Sequence, residues 1–354
     1  MRQTHSLVIF ISIVFILSLL INYYVLSRLC GLFGIKKKAI FWAILFICSS
    51  SLIGSTIFQS YVGNIFSRIL YAVSANWFGI LWLLFSTLII YEVLSRFFKI
   101  NPSIAGFVII AVVFLVTIYS MVNAQLIRIK NLTIRGNADF MIAQLSDIHM
   151  GSVSNVFLER IIEKTNTLNP DIVVITGDLV DNYNKTTQKG IGLLKKLKAP
   201  VLFVTGNHER YVGSEKVIKS LTEADVEVLR NQRKDYEQIQ IIGISDNTDK
   251  KIVEQLIQKL HVNDSRFSIL IYHRPIDAKV ISKIGINLAL TGHTHAGQIF
   301  PFNYIVGLSQ RPLYGFFEYN KSYLYVTSGT GTWGPRMRLG TKSEIVLIKI
   351  RKSN

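Results

Sequence analysis

Acidic residues are almost missing from the first third of the chain: residues 1–122 hold one, Glu92, against eight Lys/Arg. Charge is sparse overall, at 17% of 354 residues, while half of the residues are hydrophobic. A disordered chain or a nucleic-acid-binding tail is thereby excluded, since both need high polarity and little apolar surface. Cysteine is nearly absent too, and its two copies, Cys30 and Cys48, both lie in the apolar third. The remainder therefore has no disulfide framework and no cysteine-ligated zinc site open to it. Mean hydropathy of +0.36 is too high for an ordinary soluble domain.

The first third is hydrocarbon-rich. A helix crossing a bilayer core needs about 20 mostly apolar residues. Four stretches qualify, 6–26, 39–60, 69–91 and 103–122, and none has an interior Lys, Arg, Asp or Glu. Charges sit in the connections, among them Lys36, Lys37, Lys38, Arg96 and Lys99, and Tyr23, Tyr24, Trp42, Trp77 and Tyr91 lie near the ends, as interfacial aromatics do. The first stretch is longer than a secretory-signal core and no small-x-small cleavage site follows it, so it reads as a retained span. Residues 1–122 are expected to form a four-helix transmembrane anchor in the plasma (inner) membrane, and residues 123–354 one sizeable domain. Six basic residues flank the spans on the side away from that domain and five on its own side, so the membrane side of the domain stays open. The serines and threonine at Ser49, Ser50, Ser51, Ser55 and Thr56 read as helix-packing positions rather than a path. Lack of intramembrane charge speaks against a transporter.

After residue 126 short β-rich runs alternate with amphipathic stretches. Runs at 141–145, 172–176, 201–205, 239–244, 269–272, 288–291, 324–327 and 345–350 read as strands, and 156–168, 190–197, 217–224 and 251–260 as helices. That alternation predicts an α/β domain. Five of the strands end in metal-ligand types: Asp147 and His149, then Gly177-Asp178 and Asp181, Gly206-Asn207-His208-Glu209, His273, and Gly292-His293 with His295. Ligands of α/β folds gather at the carboxyl ends of strands, so residues far apart in sequence can converge. Five of the seven histidines lie in these turns. A single one would read as a core histidine; five interleaved with carboxylates and glycines read as a metal site.

In these residues the chain resembles the calcineurin-like metallophosphoesterase family, whose blocks D-x-H, G-D-x-x-D, G-N-H-E/D, a lone H and G-H-x-H stand here in order. It is most similar to the membrane-anchored branch, with its S-D-x-H-x-G opening, G-H-T-H-x-G-Q ending and a late stretch from Gly329-Thr-Gly331 to Pro335-Arg336. The resemblance implies an N-terminal helical transmembrane bundle followed by a metallophosphoesterase β-sandwich flanked by helices. It implies two divalent metals, one on Asp147, His149 and His295 and the other on Asn207, His273 and His293, with Asp178 bridging. Mixed oxygen and nitrogen ligands without thiolate suit Mn, or alternatively Fe or Zn. His208 is then the catalytic residue that either protonates the leaving group or stabilises the charge building on the phosphoryl oxygens, and Asp181 its orienting partner. Arg274, Arg336 and Arg338 are each either phosphate clamps or ordinary structural arginines.

The expected activity is hydrolysis of a phosphoester or pyrophosphate at a membrane. The resemblance offers one candidate substrate, a lipid-linked phosphate of the UDP-2,3-diacylglucosamine type from lipid A biosynthesis. An envelope phospholipid or wall-polymer phosphate on the outer face is the alternative. A non-catalytic scaffold would normally have lost ligands, and here every position is filled. Nine aromatic residues between Phe300 and Tyr325 either form an apolar lip beside the site or fill the core. The +10 balance of residues 123–354 suits an anionic membrane surface and a phosphorylated substrate. Dispersed lysines and the lack of a reader module disfavour nucleic acid as a partner; oligomeric state is not readable.

Overall fold

The computed structural model describes residues 2–236, 238–263 and 265–352, and of residues 2–8 and 10 the backbone alone. Contacts divide it into two compact units, one running to Val122 and including Gly334–Met337, the other Asn123–Trp333 with the chain from Arg338 onward.

The first unit is built from α1 (Arg2–Leu32), α2 (Ala39–Val62), α3 (Ile65–Leu94) and α4 (Pro102–Gln125), whose last turn already belongs to the second unit. All four are long and apolar enough to cross a membrane. Their ends follow local chemistry: Gly63 closes α2 in the left-handed conformation, and the Asn64 side chain accepts the Ser67 N–H to open α3. Pro102 occupies the first position of α4, where its missing N–H costs nothing. The hydroxyls of Ser49, Ser50, Ser51, Ser55 and Thr56 donate to carbonyls of their own helix, as hydroxyl side chains in helices commonly do. Between helices, Ser18 Oγ donates to the Ser49 carbonyl at 3.1 Å and Trp77 Nε1 to Asn22 Oδ1 at 3.1 Å.

The second unit is an α/β sandwich of two six-stranded mixed sheets. The first contains β1 (Ile127–Gly136), β2 (Phe140–Leu145), β3 (Ile172–Ile175), β4 (Val201–Phe203), β5 (Val226–Val228) and β12 (Ser343–Lys352), in the order β1-β12-β2-β3-β4-β5. The second contains β6 (Gln232–Tyr236), β7 (Ile239–Ile244), β8 (Phe267–Tyr272), β9 (Leu288–Thr291), β10 (Gly315–Tyr319) and β11 (Ser322–Val326), in the order β10-β11-β9-β8-β7-β6. Alternate residues face opposite sides. Ile172 and Val174 of β3 pack between the sheets with Ile269 and Leu290, whereas Val173 and Ile175 face α5 (Asn155–Thr167) and α6 (Lys185–Leu193) through Ile161 and Ile191. On the far side, Leu270 and Ile242 meet Val253 and Ile257 of α9 (Lys250–Lys259). Both faces of each sheet are covered, which is why the central strands read as unbroken apolar runs.

All eight expected strands form. Among the described residues four more do, and each is a sheet edge: β1, β5, β6 and β10. Edge strands are short or carry charge, as in Gln232–Tyr236, and so give no apolar run to find. The helix expected at 190–197 starts earlier, because the Asn184 side chain accepts the N–H groups of Thr186 and Thr187, and it ends in a 3₁₀ turn. Four further helices form: α7 (Asn207–Val212), α8 (Ser214–Glu223) where a helix was expected, α10 (Ala278–Lys283) and α11 (Phe302–Ser309); of these only α8 has an apolar period long enough to read.

Candidate metal centre

Strands β2, β3 and β4 run parallel, as do β8 and β9, so the residues that follow them meet at one end of the sandwich. Ligand atoms of Asp147, His149 and His295 lie within 4.8 Å of one another, as do those of Asp178, His273 and His293. His149 Nε2 faces His295 Nε2 at 2.9 Å, and His273 Nε2 faces His293 Nδ1 at 3.1 Å. Two ligand atoms each about 2.1 Å from one cation and at right angles to each other stand roughly 3 Å apart. The ring nitrogens therefore already have the spacing of neighbouring ligands, and the donor set fits borderline divalent metals. Asp178 Oδ2 is 3.1 Å from His273 Nε2 and 4.0 Å from His149 Nε2, between the two groups. Asn207 joins the second through Arg274, whose Nη2 is 3.3 Å from Asn207 Oδ1 and whose Nη1 is 3.1 Å from His293 Nε2.

Outer partners set the ring orientations. His273 Nδ1 lies 2.9 Å from the Thr176 carbonyl, which can only accept, so Nδ1 carries a proton and Nε2 is the nitrogen turned toward Asp178 and His293. Asp181 Oδ1 is 2.7 Å from His149 Nδ1 and 3.1 Å from His208 Nδ1, while its Oδ2 accepts from Ser152 N–H and Oγ. One carboxylate thus orients both a candidate ligand and the candidate acid. Burial pushes the Asp181 carboxyl up, but His149 and His208 beside it hold it well below the usual range. Burial likewise opposes ionisation of Asp178, and His273, His208 and His149 overcome it. Burial, then the charges of His273 and Arg274, pushes His293 down to about 3; burial with His149 and Arg338 holds His295 low as well. Both rings are therefore neutral, the form that binds metal.

The backbone is strained where the ligands are. Asp147, His149, Asp178, His293 and His295 all have positive φ, between 50° and 74°, at a cost of roughly 1–3 kcal/mol each. Two preceding glycines answer a steric demand. A Cβ on Gly206 would sit 2.2 Å from Asp178 Oδ1, and one on Gly292 would sit 2.2 Å from Asp147 Oδ2 and 2.1 Å from Ser146 Oγ.

Comparison with known proteins gives this constellation a family. Residues 140–297 match the model of the calcineurin-like phosphoesterases. A metallophosphoesterase of Bacillus subtilis, itself described as uncharacterized, is 33% identical over 237 residues, 61% of this chain and 80% of that protein. The chain belongs to the calcineurin-like phosphoesterase family. Other metallophosphoesterase relatives include an uncharacterized one from Campylobacter jejuni, 36% identical over 60% of this chain and 59% of its own length. Another is a bovine transmembrane protein with a metallophosphoesterase domain, 32% identical over 58% of this chain and 51% of that one. The chain spans about 60% of the length of the Campylobacter and Helicobacter pylori relatives it matches.

One residue of the site, Glu209, had no role assigned to it from the sequence. Glu209, fully buried, accepts the N–H groups of Asp178, Leu179, Val180 and Gly206 at 2.7–3.2 Å, tying the two ligand loops together. Its place after His208 in G-N-H-E was the available signal. For Arg338 the structural alternative holds: its guanidinium is fully buried and donates to the carbonyls of Ser328 and Gly331, both at 2.6 Å, so it braces a loop and cannot clamp a phosphate. Arg336 is half-buried and its backbone N–H donates to Asn76 Oδ1 within the first unit. Arg274 stands beside the second ligand group, held by Asp246 through Nε at 2.6 Å. Of the aromatic segment, Phe300, Phe302, Tyr304, Tyr314, Phe316, Phe317 and Tyr319 are exposed while Tyr325 is fully buried, so core filling accounts for its end alone. His208 lies at the rim, its ring 6.0 Å from that of Trp333, which is exposed.

Proposed function

We propose that this chain is a membrane-bound, metal-dependent phosphohydrolase, with residues 1–122 as a four-helix anchor and 123–354 as the hydrolase domain. The observation that carries the proposal is the convergence of two Asp/His groups, with ring nitrogens paired at 2.9 and 3.1 Å, and Asp178 of the second group 4.0 Å from His149 of the first. Asp147, His149 and His295 would hold one divalent metal and Asn207, His273 and His293 the other, Asp178 serving both; Mn is preferred, with Fe or Zn as alternatives. When bound, two such cations lower the pKa of a water and neutralise charge on the phosphoryl oxygens.

The chain's own residues supply the rest. With Nδ1 held by Asp181, His208 presents Nε2 toward the ligands, 3.9 Å from Asp178 Oδ2. Burial disfavours its charge, but the bond to Asp181 and the charge of Asp178 raise it to about 9. It is therefore protonated at neutral pH and donates its proton to the leaving oxygen. Arg274, aimed by Asp246, is placed to pair with a non-bridging phosphoryl oxygen.

The substrate in this reading is a lipid-linked phosphoester or anhydride, of which UDP-2,3-diacylglucosamine is a candidate if the domain faces the cytoplasm, and an envelope phosphoester if it faces outward. The exposed aromatics after His295 support it. The test is turnover by the detergent-solubilised full chain with Mn²⁺ against UDP-2,3-diacylglucosamine, phosphatidylglycerophosphate, cyclic nucleotides and bis-p-nitrophenyl phosphate. Cleavage of none of them rejects the proposal, and a reporter fused after residue 354 decides between the two substrate classes.

A further inference from the structure

Residues 298–317 contain no Asp, Glu or Lys and one charged residue, Arg311. The helix within them, α11, buries none of its residues. Tyr304, Ile305 and Leu308 fall on one helical face, three to four positions apart or adjacent, and are 67%, 48% and 79% exposed; Phe300 and Phe302 flank them at 48% and 38%. A large apolar face left in water is costly, and a contiguous one marks a surface that is covered in use.

Its root is tied to the place where the fourth apolar helix ends. Asn123, in the last turn of α4, donates from Nδ2 to the carbonyls of Arg338 and Thr341, both at 2.9 Å, and Ser343 Oγ donates to the Ala124 carbonyl. Thr341 Oγ1 and Leu339 N–H in turn donate to the Gln298 carbonyl, and Phe300 N–H to that of Leu339. Two hydrogen-bonded steps therefore separate the end of a membrane-length helix from the start of the exposed apolar segment. Three residues before Gln298 stands the candidate ligand His295.

We propose that α11 and Phe300 form an interfacial segment that lies in the lipid headgroup layer with Tyr304, Ile305 and Leu308 inserted, so that the ligand cluster works at the bilayer surface. Aromatic and aliphatic side chains with a single cation suit that layer. The inference rests on the membrane reading of α1–α4 but not on catalysis.

The test uses the full chain with Cys30→Ser and Cys48→Ser in vesicles of phosphatidylcholine and phosphatidylglycerol, labelled with an environment-sensitive fluorophore. Labels at Leu308→Cys and Ile305→Cys should shift to shorter wavelength and be quenched by lipid carrying a shallow spin label. A label at Lys219→Cys, exposed on α8, should do neither, and one at Val112→Cys on α4 should respond to a deep quencher. Leu308→Glu should lower turnover of a vesicle-borne phosphoester about tenfold or more, the scale of withdrawing one large apolar side chain, with bis-p-nitrophenyl phosphate cleavage unchanged. Labels at 305 and 308 that behave like the one at 219 overturn the inference, as does a shifted label that lipid does not quench, which would mean a protein face. An unquenched label at 112 removes the membrane reading beneath it. Loss of all phosphoester cleavage with normal quenching leaves the interfacial segment standing and rejects the proposed activity alone.

Discussion

Asp181 holds two imidazoles with one carboxylate, and that arrangement separates binding from proton transfer. Through His149 it braces a candidate ligand, and through His208 it fixes the ring proposed to act on the leaving group. His208→Ala should therefore lower kcat by roughly 10²–10⁴-fold while metal content, read by elemental analysis, stays at the wild-type value. Asp181→Asn should disturb both, because it touches both rings. The pH profile has a sign that follows from the same pair. In its proposed role His208 must be protonated to act, and its folded value is raised to about 9; bound cations would pull it down from there. Activity toward substrates with poor leaving groups should fall as pH rises through a value at or below about 9, and this limb should be missing in the initial-rate profile of His208→Ala.

At the scale of elements, tight turns at the strand ends place the chemistry, and the strands themselves are apolar filler between helix layers. The turn before His293 shows how little room there is: its glycine has the Asp147 carboxylate and the Ser146 hydroxyl where a Cβ would go. Gly292→Ala should displace Asp147 and cost both metal occupancy and activity, with a loss of about 1–3 kcal/mol in denaturant unfolding. A wild-type metal content in that variant would show that the loop yields. The same scale explains what could be read in advance. Central strands such as 172–175 and 269–272 are covered on both faces and announce themselves as apolar runs, whereas Gln232–Tyr236 and Gly315–Tyr319 lie at edges where solvent tolerates any residue. Asn207–Val212 was unreadable as a helix because six residues give no period, yet it is what carries His208 and Glu209.

For the whole molecule, metal binding and stability should be linked. Buried Asp147 and Asp178 each stand in a group with two imidazoles, so cations that bind the folded chain and not the unfolded one stabilise it by mass action, about 2.7 kcal/mol at a hundredfold excess over Kd. Stripping the full chain with a chelator should lower its unfolding midpoint, and Mn²⁺ should restore it with two ions bound per chain. A midpoint indifferent to both would mean that the cluster holds no metal under those conditions.

The sequence by itself determined the apolar helices, the α/β class and the identity of every candidate ligand, because hydrophobic period and residue chemistry are local properties that survive without coordinates. Only the tertiary structure decided how those residues act on one another. Arg338 and Arg274 look alike in sequence, yet one is sealed among carbonyls and the other stands beside Asn207 and His293. Glu209 became a brace once four N–H groups from two loops were seen to converge on it. The aromatic segment, open to two readings as a sequence, divided into a buried Tyr325 and an exposed α11. In each case the deciding quantity is burial or a distance between residues remote in the chain, and long-range packing alone sets it.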